Sequence, residues 1–143
     1  MTVTDRCFVD SNIWIYAATQ SEEAPPDTRH DAARQLIESI EPYLSTQVIN
    51  EVSINLIRKF RFSEAHIQNL IRSFYQKYTV YSLDADILLK ASTLRTRYRL
   101  SFWDSIIVGT ALQHQCHILY TEDMADNLMV NDVLTIVNPF RKI

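Results

Sequence analysis

With 143 residues, 47% of them hydrophobic and 22% charged, the chain has the length and composition of one globular domain, expected to span 1–143. No apolar run approaches the roughly 18 residues that cross a bilayer and the N-terminus shows no signal-peptide pattern, so a cytoplasmic protein off the membrane is expected. A net charge of −3 is not the footprint of a basic nucleic-acid binder, though an acidic metal site with a basic rim gives the same sum; the single glycine, Gly109, rules out Gly-rich phosphate loops.

In chain order, Cys7-Phe8-Val9 reads as a short buried strand that ends on Asp10, and a helix follows over 12–18. The polar stretch TQSEEAPPDTR, 19–29, is a loop. A helix over 29–41 puts Ala32, Ala33, Leu36, Ile37 and Ile40 on one face and stops at Pro42, before a brief strand at Tyr43-Leu44. Residues 46–60 form a helix with Val48, Ile49, Val52, Leu56, Ile57 and Phe60 in its apolar pattern. Ser63, three residues before His66, starts the next helix, with Ile67, Leu70, Ile71 and Phe74 inward. YTVYSL, 78–83, alternates like a strand. A helix from Asp84 to about Arg97 carries Ile87, Leu88, Ala91 and Leu94, and a connector leads to a strongly apolar helix over 104–115. HILYT, 117–121, and VLTIV, 133–137, are buried-type strands with a short helical piece between them. Strands alternating with helices predict an α/β domain with a mainly parallel sheet covered on both faces. Cys7 and Cys116 are too few for a disulfide framework and read as reduced core thiols. His114, Cys116 and His117 have irregular spacing and no further soft ligands nearby, so they read as a helix end and strand start rather than a zinc site.

Ligand sites in open α/β sheets lie beyond the carboxyl ends of the strands. Asp10 and Asp123 stand there, Asp104 opens a helix, and Glu51 lies at the edge of a buried helical stripe. Each alone has an ordinary explanation. Asp10 and Asp104 suit helix caps, Asp123 suits a loop, and Glu51 suits a solvated face. Together, in the segments VDSN, INE, FWDS and YTED, they form a set that can converge at one end of the sheet. Ser11 or Asn12 can then do the capping, which frees Asp10 to face the open end.

FVDSNIWIYA, VINEV, FWDSIIVGTAL and ILYTEDM resemble the PIN-domain ribonucleases, and most of all the VapC-type toxins of bacterial and archaeal toxin–antitoxin pairs; the likeness runs from residue 7 to about 139. The resemblance implies a PIN-like fold with a parallel sheet of about five strands flanked by helices. It implies Mg²⁺- or Mn²⁺-dependent endoribonuclease activity, a cognate antitoxin that silences it, and a homodimer. It places the catalytic acids at Asp10, Glu51, Asp104 and Asp123, with Asn12, Ser105 and Thr121 in support.

Phosphodiester hydrolysis needs a nucleophilic water and charge neutralisation at phosphorus, which hard divalent cations supply through oxygen ligands. Asp10, Asp104 and Asp123 are the expected metal ligands, and Glu51 a further ligand or the group that orients water. Asp126 reads as solvated and Glu122 as exposed on the opposite side of the strand. Arg58, Lys59 and Arg61, and Arg95, Arg97 and Arg99, are the dense basic clusters available to RNA, or they complement helix C-termini. Tyr98, Phe102 and Trp103 lie among them and could stack on unpaired bases, although Trp103 adjoins an apolar helix and suits the core better. Exposed apolar residues on the helices at 46–60 and 63–76 are the expected antitoxin groove.

Two other readings share this site: a PIN nuclease acting in RNA processing or on DNA, and a catalytically silent RNA-binding module. The full set of acids argues against the second. A receiver-like phosphoacceptor is rejected, because Asn138-Pro139, not a lysine, follows the strand at 133–137.

Overall fold

The computed structural model describes residues 5–20 and 27–141. The elements in order are β1 (Cys7–Val9), α1 (Ser11–Ala18), α2 (Arg29–Ser39), β2 (Pro42–Ser45), α3 (Thr46–Phe60), α4 (Glu64–Lys77), β3 (Thr79–Tyr81), α5 (Ala85–Arg97), α6 (Phe102–Gln113), β4 (Ile118–Tyr120), β5 (Met129–Val130) and β6 (Leu134–Val137). The predicted loop at 19–29 falls largely on 21–26, outside the described residues. No helix among the described residues is long and apolar enough to cross a membrane.

One sheet carries all six strands in the order β3-β2-β1-β4-β6-β5. Five run parallel, and β5 alone pairs antiparallel, with β6. The expectation of about five strands therefore holds for the parallel set, and β5 is the addition. It replaces the helical piece predicted between 121 and 133. That segment has Asn127, Asn131 and Asp132 at positive φ (65°, 50° and 57°), which turns the chain instead of coiling it.

β1 lies between β2 and β4, with Cys7 opposite both Pro42 and Ile118. Their carboxyl ends are therefore neighbours, and each releases a segment bearing candidate acids. Phe8, Val9, Leu44, Leu119 and Ile136 are fully buried between the helical layers, as a two-face-covered sheet requires. Pro42 opens β2 rather than merely ending α2; an edge-of-strand position tolerates its missing N–H.

Several apolar positions differ from the predicted core. Ile57 and Phe60 on α3 and Leu88 on α5 are exposed. The α3 stripe is carried by Val48, Ile49, Val52 and Leu56, and the helix has outrun the core by its last turn. α6 starts two residues earlier than expected, because Ser101 caps it by accepting the Asp104 N–H at 3.1 Å. Phe102 and Trp103 are thus carried onto the first, solvent-facing turn, and Trp103 is 62% exposed, not core. α6 then packs along α5 at Gly109, where an added Cβ would lie 3.2 Å from the Ile87 carbonyl oxygen. That close approach, which only glycine permits without a shift, sets the α6 axis that presents Asp104.

Candidate active site

Asp10 is the N-cap residue of α1, with extended backbone (φ −76°, ψ 164°), so the expected hand-over of capping to Ser11 or Asn12 does not occur. Asp10 Oδ1 accepts the Ser11 N–H at 2.7 Å, and Oδ2 accepts the Thr121 hydroxyl at 2.9 Å. The cap and the candidate ligand are one carboxylate, because the strand ends and the helix begins at that residue. Its N–H is held by the Tyr120 carbonyl at 3.0 Å, so the sheet ladder extends one step past β1 and fixes the position.

Asp10 is only 3% exposed. Burial is the main reason its carboxyl is raised from 3.8 to about 7; the Ser11 and Thr121 hydrogen bonds oppose that, while the charges of Glu51 and Asp104 add to it. Asp104 is raised too, by burial first and then by the charges of Asp123 and Glu51, with the Ser101 hydroxyl acting the other way. Asp10 thus lies within electrostatic reach of Glu51 and Asp104, and Asp104 within reach of Asp123 and Glu51.

Their supports interlock. Ser11 Oγ donates to Glu51 Oε2 at 2.9 Å, which joins α1 to α3. Gln47, one turn before Glu51, donates through Nε2 to Glu51 Oε1 at 3.0 Å and to the Trp103 carbonyl at 3.2 Å. Gln47 therefore ties Glu51 to the turn of α6 that carries Asp104. Its Oε1 is the buried side-chain atom left without a hydrogen-bond partner among the described residues. Asn12 donates through Nδ2 to Asp123 Oδ2 at 2.9 Å and to Thr121 Oγ1 at 3.3 Å, and its Oδ1 accepts the Glu122 N–H at 3.2 Å. Thr121, fully buried, also accepts the Asp123 N–H at 3.1 Å. Sequence reasoning singled out Asn12 and Thr121 but missed Gln47 and the Ser11 hydroxyl as clamps on Glu51. The i, i+4 spacing of Gln47 and Glu51 was the available signal.

The remaining predicted positions divide. Ser105 is fully buried; its hydroxyl donates to the Phe102 carbonyl and accepts from Arg95 Nη1 at 2.7 Å. Arg95 also lies 4.5 Å over the Phe102 ring, so it braces the start of α6 rather than standing free. Arg97 donates to Asn131 Oδ1 at 3.2 Å, in the turn between β5 and β6. Arg99, Arg58 and Lys59 are exposed, and Arg61 ends α3 in the left-handed conformation (φ 58°). Glu122 is not exposed as expected: it is half-buried and pairs with Arg29 at 2.8 Å. Asp126 is not solvated: its side chain is 12% exposed, and its Oδ1 accepts the Asn138 N–H at 2.7 Å, which staples the C-terminal segment. His114 stacks on Tyr81 and Cys116 is buried.

A groove of about 400 Å³ opens beside the acids and is lined by Ser11, Asn12, Asn55, Lys59, Phe60 and Asp123, among others. Among the described residues, no three His, Cys, Asp or Glu side chains close tightly enough to hold an ion by themselves. The donor set nevertheless fits a hard cation: it is all oxygen, and a buried carboxylate among like charges gains most from one. Mg²⁺ in particular keeps several waters and needs only one or two carboxylates.

The family model described as PIN domain matches residues 7–125. A search of curated proteins gives no match. Among solved structures, a toxin–antitoxin complex from Klebsiella pneumoniae is similar with a TM-score of 0.69 at 21% identity, over 94% of this chain and 98% of that one. VapC20 of Mycobacterium tuberculosis, a Sarcin-Ricin loop cleaving toxin, gives 0.65 at 20% identity, over 82% and 91%. VapBC2 from Rickettsia felis, bound to a DNA fragment from its promoter, gives 0.60 at 16% identity, over 92% and 98%.

Proposed function

The chain belongs to the PIN-domain family, and from that premise we propose that it is a Mg²⁺- or Mn²⁺-dependent endoribonuclease, the toxin of a toxin–antitoxin pair. The observation that carries this reading is that Asp10, Glu51 and Asp123, on the segments leaving the carboxyl ends of the adjacent parallel strands β1, β2 and β4, meet Asp104 of the first turn of α6, with Asp10 buried and raised to about 7. The similarity of the fold to a toxin–antitoxin complex and to a toxin that cleaves the Sarcin-Ricin loop supports the toxin assignment.

Asp10, Asp104 and Asp123 would hold the cation, some of them through bound waters, since the three do not close on one point. When bound, it supplies an activated water and neutralises charge developing on the phosphate. Glu51 has both oxygens held, by Ser11 and Gln47, so its remaining lone pairs are aimed and can take a proton from an attacking water. Thr121 orients Asp10, and Asn12 orients Asp123. Arg58, Lys59, Arg61 and Arg99 are exposed cations that would contact RNA phosphates.

An antitoxin that silences the enzyme needs apolar surface. Ile54, Ile57 and Tyr75 expose it, and an apolar groove of about 370 Å³ runs among α1 to α4 past Trp14, Ile37, Leu70 and Phe74. Leu88 and Leu89 on α5 are exposed and support a homodimer. A cleavage assay on single-stranded and structured RNA tests the reading. Cleavage should require Mg²⁺ or Mn²⁺, stop with chelator, and fall at least about 100-fold in Asp10→Asn. An Asp10→Asn protein that cleaves at the parent rate would sink it.

A further inference from the structure

Gln47, Glu51, Asn55 and Lys59 recur every four residues on α3, so they form one stripe along one helix face. The stripe begins at the acid cluster and ends in the neighbouring groove, which Asn55 and Lys59 line. Eight residues of helix separate Glu51 from Lys59, about 12 Å at 1.5 Å per residue. Phe60 stands at the end of it. Its place in the apolar pattern of α3 puts it in the core, yet it is 44% exposed and forms part of the groove wall.

The groove has the composition of a nucleotide subsite. Its volume of about 400 Å³ falls in the range of roughly 300–1,000 Å³ typical of small-ligand sites. Phe60 offers an aromatic face. The Asn55 amide spends its Nδ2 on the Glu51 carbonyl at 2.7 Å, and its Oδ1 accepts from no group among the described residues. That oxygen can take an N–H from a base edge. Lys59 enters none of the ion pairs among the described residues, so its charge is available to a phosphate.

We propose that this groove binds one unpaired nucleotide of the RNA next to the scissile phosphate, with the base stacked on Phe60, a base-edge N–H on Asn55 Oδ1 and the phosphate on Lys59. The inference rests on the nuclease reading and adds to it a specificity subsite on α3, with Phe60, Asn55 and Lys59 as the side chains that hold the nucleotide. A duplex cannot enter, because a paired base has neither its face nor its edge free.

The test uses the full chain carrying Asp10→Asn, so that RNA survives, and fluorescence anisotropy with a labelled single-stranded RNA octamer and with a series in which one base at a time is abasic. Stacking on one aromatic side chain predicts that Phe60→Ala weakens octamer binding about 5- to 100-fold, and that Phe60→Trp restores it. One abasic position should cost the parent the same factor and cost Phe60→Ala nothing further. Lys59→Ala should lower the salt slope by about one. Phe60→Ala binding within twofold of the parent, which itself binds the octamer, overturns this inference alone. A Phe60→Ala effect on self-association but not on RNA affinity overturns it equally. No RNA binding by the parent overturns both this inference and the nuclease reading.

Discussion

Replacing Asp10 with asparagine should stabilise the metal-free protein at high pH while removing its activity. The carboxyl is raised from 3.8 to about 7 with burial as the leading cause, a rise of about three units. At 1.36 kcal/mol per unit, keeping it charged in the folded state costs about 4 kcal/mol. The side chain is only 3% exposed, so little of that is screened by solvent. Between pH 3.8 and about 7 the folded state holds more protons at this site than the unfolded chain. The contribution is therefore fully present below 3.8 and lost as pH rises through about 7. Asparagine keeps an oxygen for the Ser11 N–H, but its amide nitrogen cannot accept the Thr121 hydroxyl, which costs about 1–2 kcal/mol. The balance is a gain of about 2–3 kcal/mol at pH 8 that vanishes near pH 4.5. Urea unfolding of both proteins with chelator, at the two pH values, measures it. An asparagine variant that is less stable at both, by the same amount, would mean that Asp10 serves chiefly as a helix cap and that the buried charge is not the dominant cost.

Gln47→Ala should lower cleavage about tenfold and weaken Mn²⁺ binding, because Glu51 loses its link to the Trp103 carbonyl; wild-type Mn²⁺ affinity in the variant would rule that role out. Arg95→Ala should cost about 1–2 kcal/mol in urea unfolding through the lost Ser105 bond and the lost Phe102 contact, whereas Lys59→Ala should stay within about 0.5 kcal/mol; equal stabilities would contradict the division drawn between these two basic clusters. Asp126→Ala should expose residues 138–141 to limited proteolysis, since it removes the acceptor of the Asn138 N–H; unchanged protection would show that the segment is held by its other contacts.

The strand–helix alternation was legible in the sequence because it rests on strong local signals, whereas the four acids stood out only as a set, through the resemblance of their segments to a family. Short apolar runs mark β1, β4 and β6, while Asp10 follows β1, Glu51 lies in the second turn of α3, Asp104 in the first turn of α6 and Asp123 in the segment after β4, each a place with an ordinary local explanation. What escaped is set by three-dimensional neighbours. The exposure of Trp103 follows from Ser101 capping α6 two residues early, and that of Phe60 from a helix that outruns the core it packs on. Periodicity reports a face, not where the core stops. Asp126 and Glu122 looked solvated because their partners, Asn138 and Arg29, are 12 and 93 residues away in sequence. The capping role of Asp10 was misassigned because one carboxylate has two oxygens, so it can cap through Oδ1 and still meet Thr121 through Oδ2.

If the acids form one cation site, calorimetric titration of Mn²⁺ into the chelator-stripped protein measures it most directly. The wild-type chain should bind Mn²⁺ at pH 7.5 with an affinity that drops at least about tenfold in Asp10→Asn and again at pH 5.5, where protons compete for Asp10. A wild-type chain that takes up no Mn²⁺, or an Asp10→Asn variant that binds it equally well, would contradict the account.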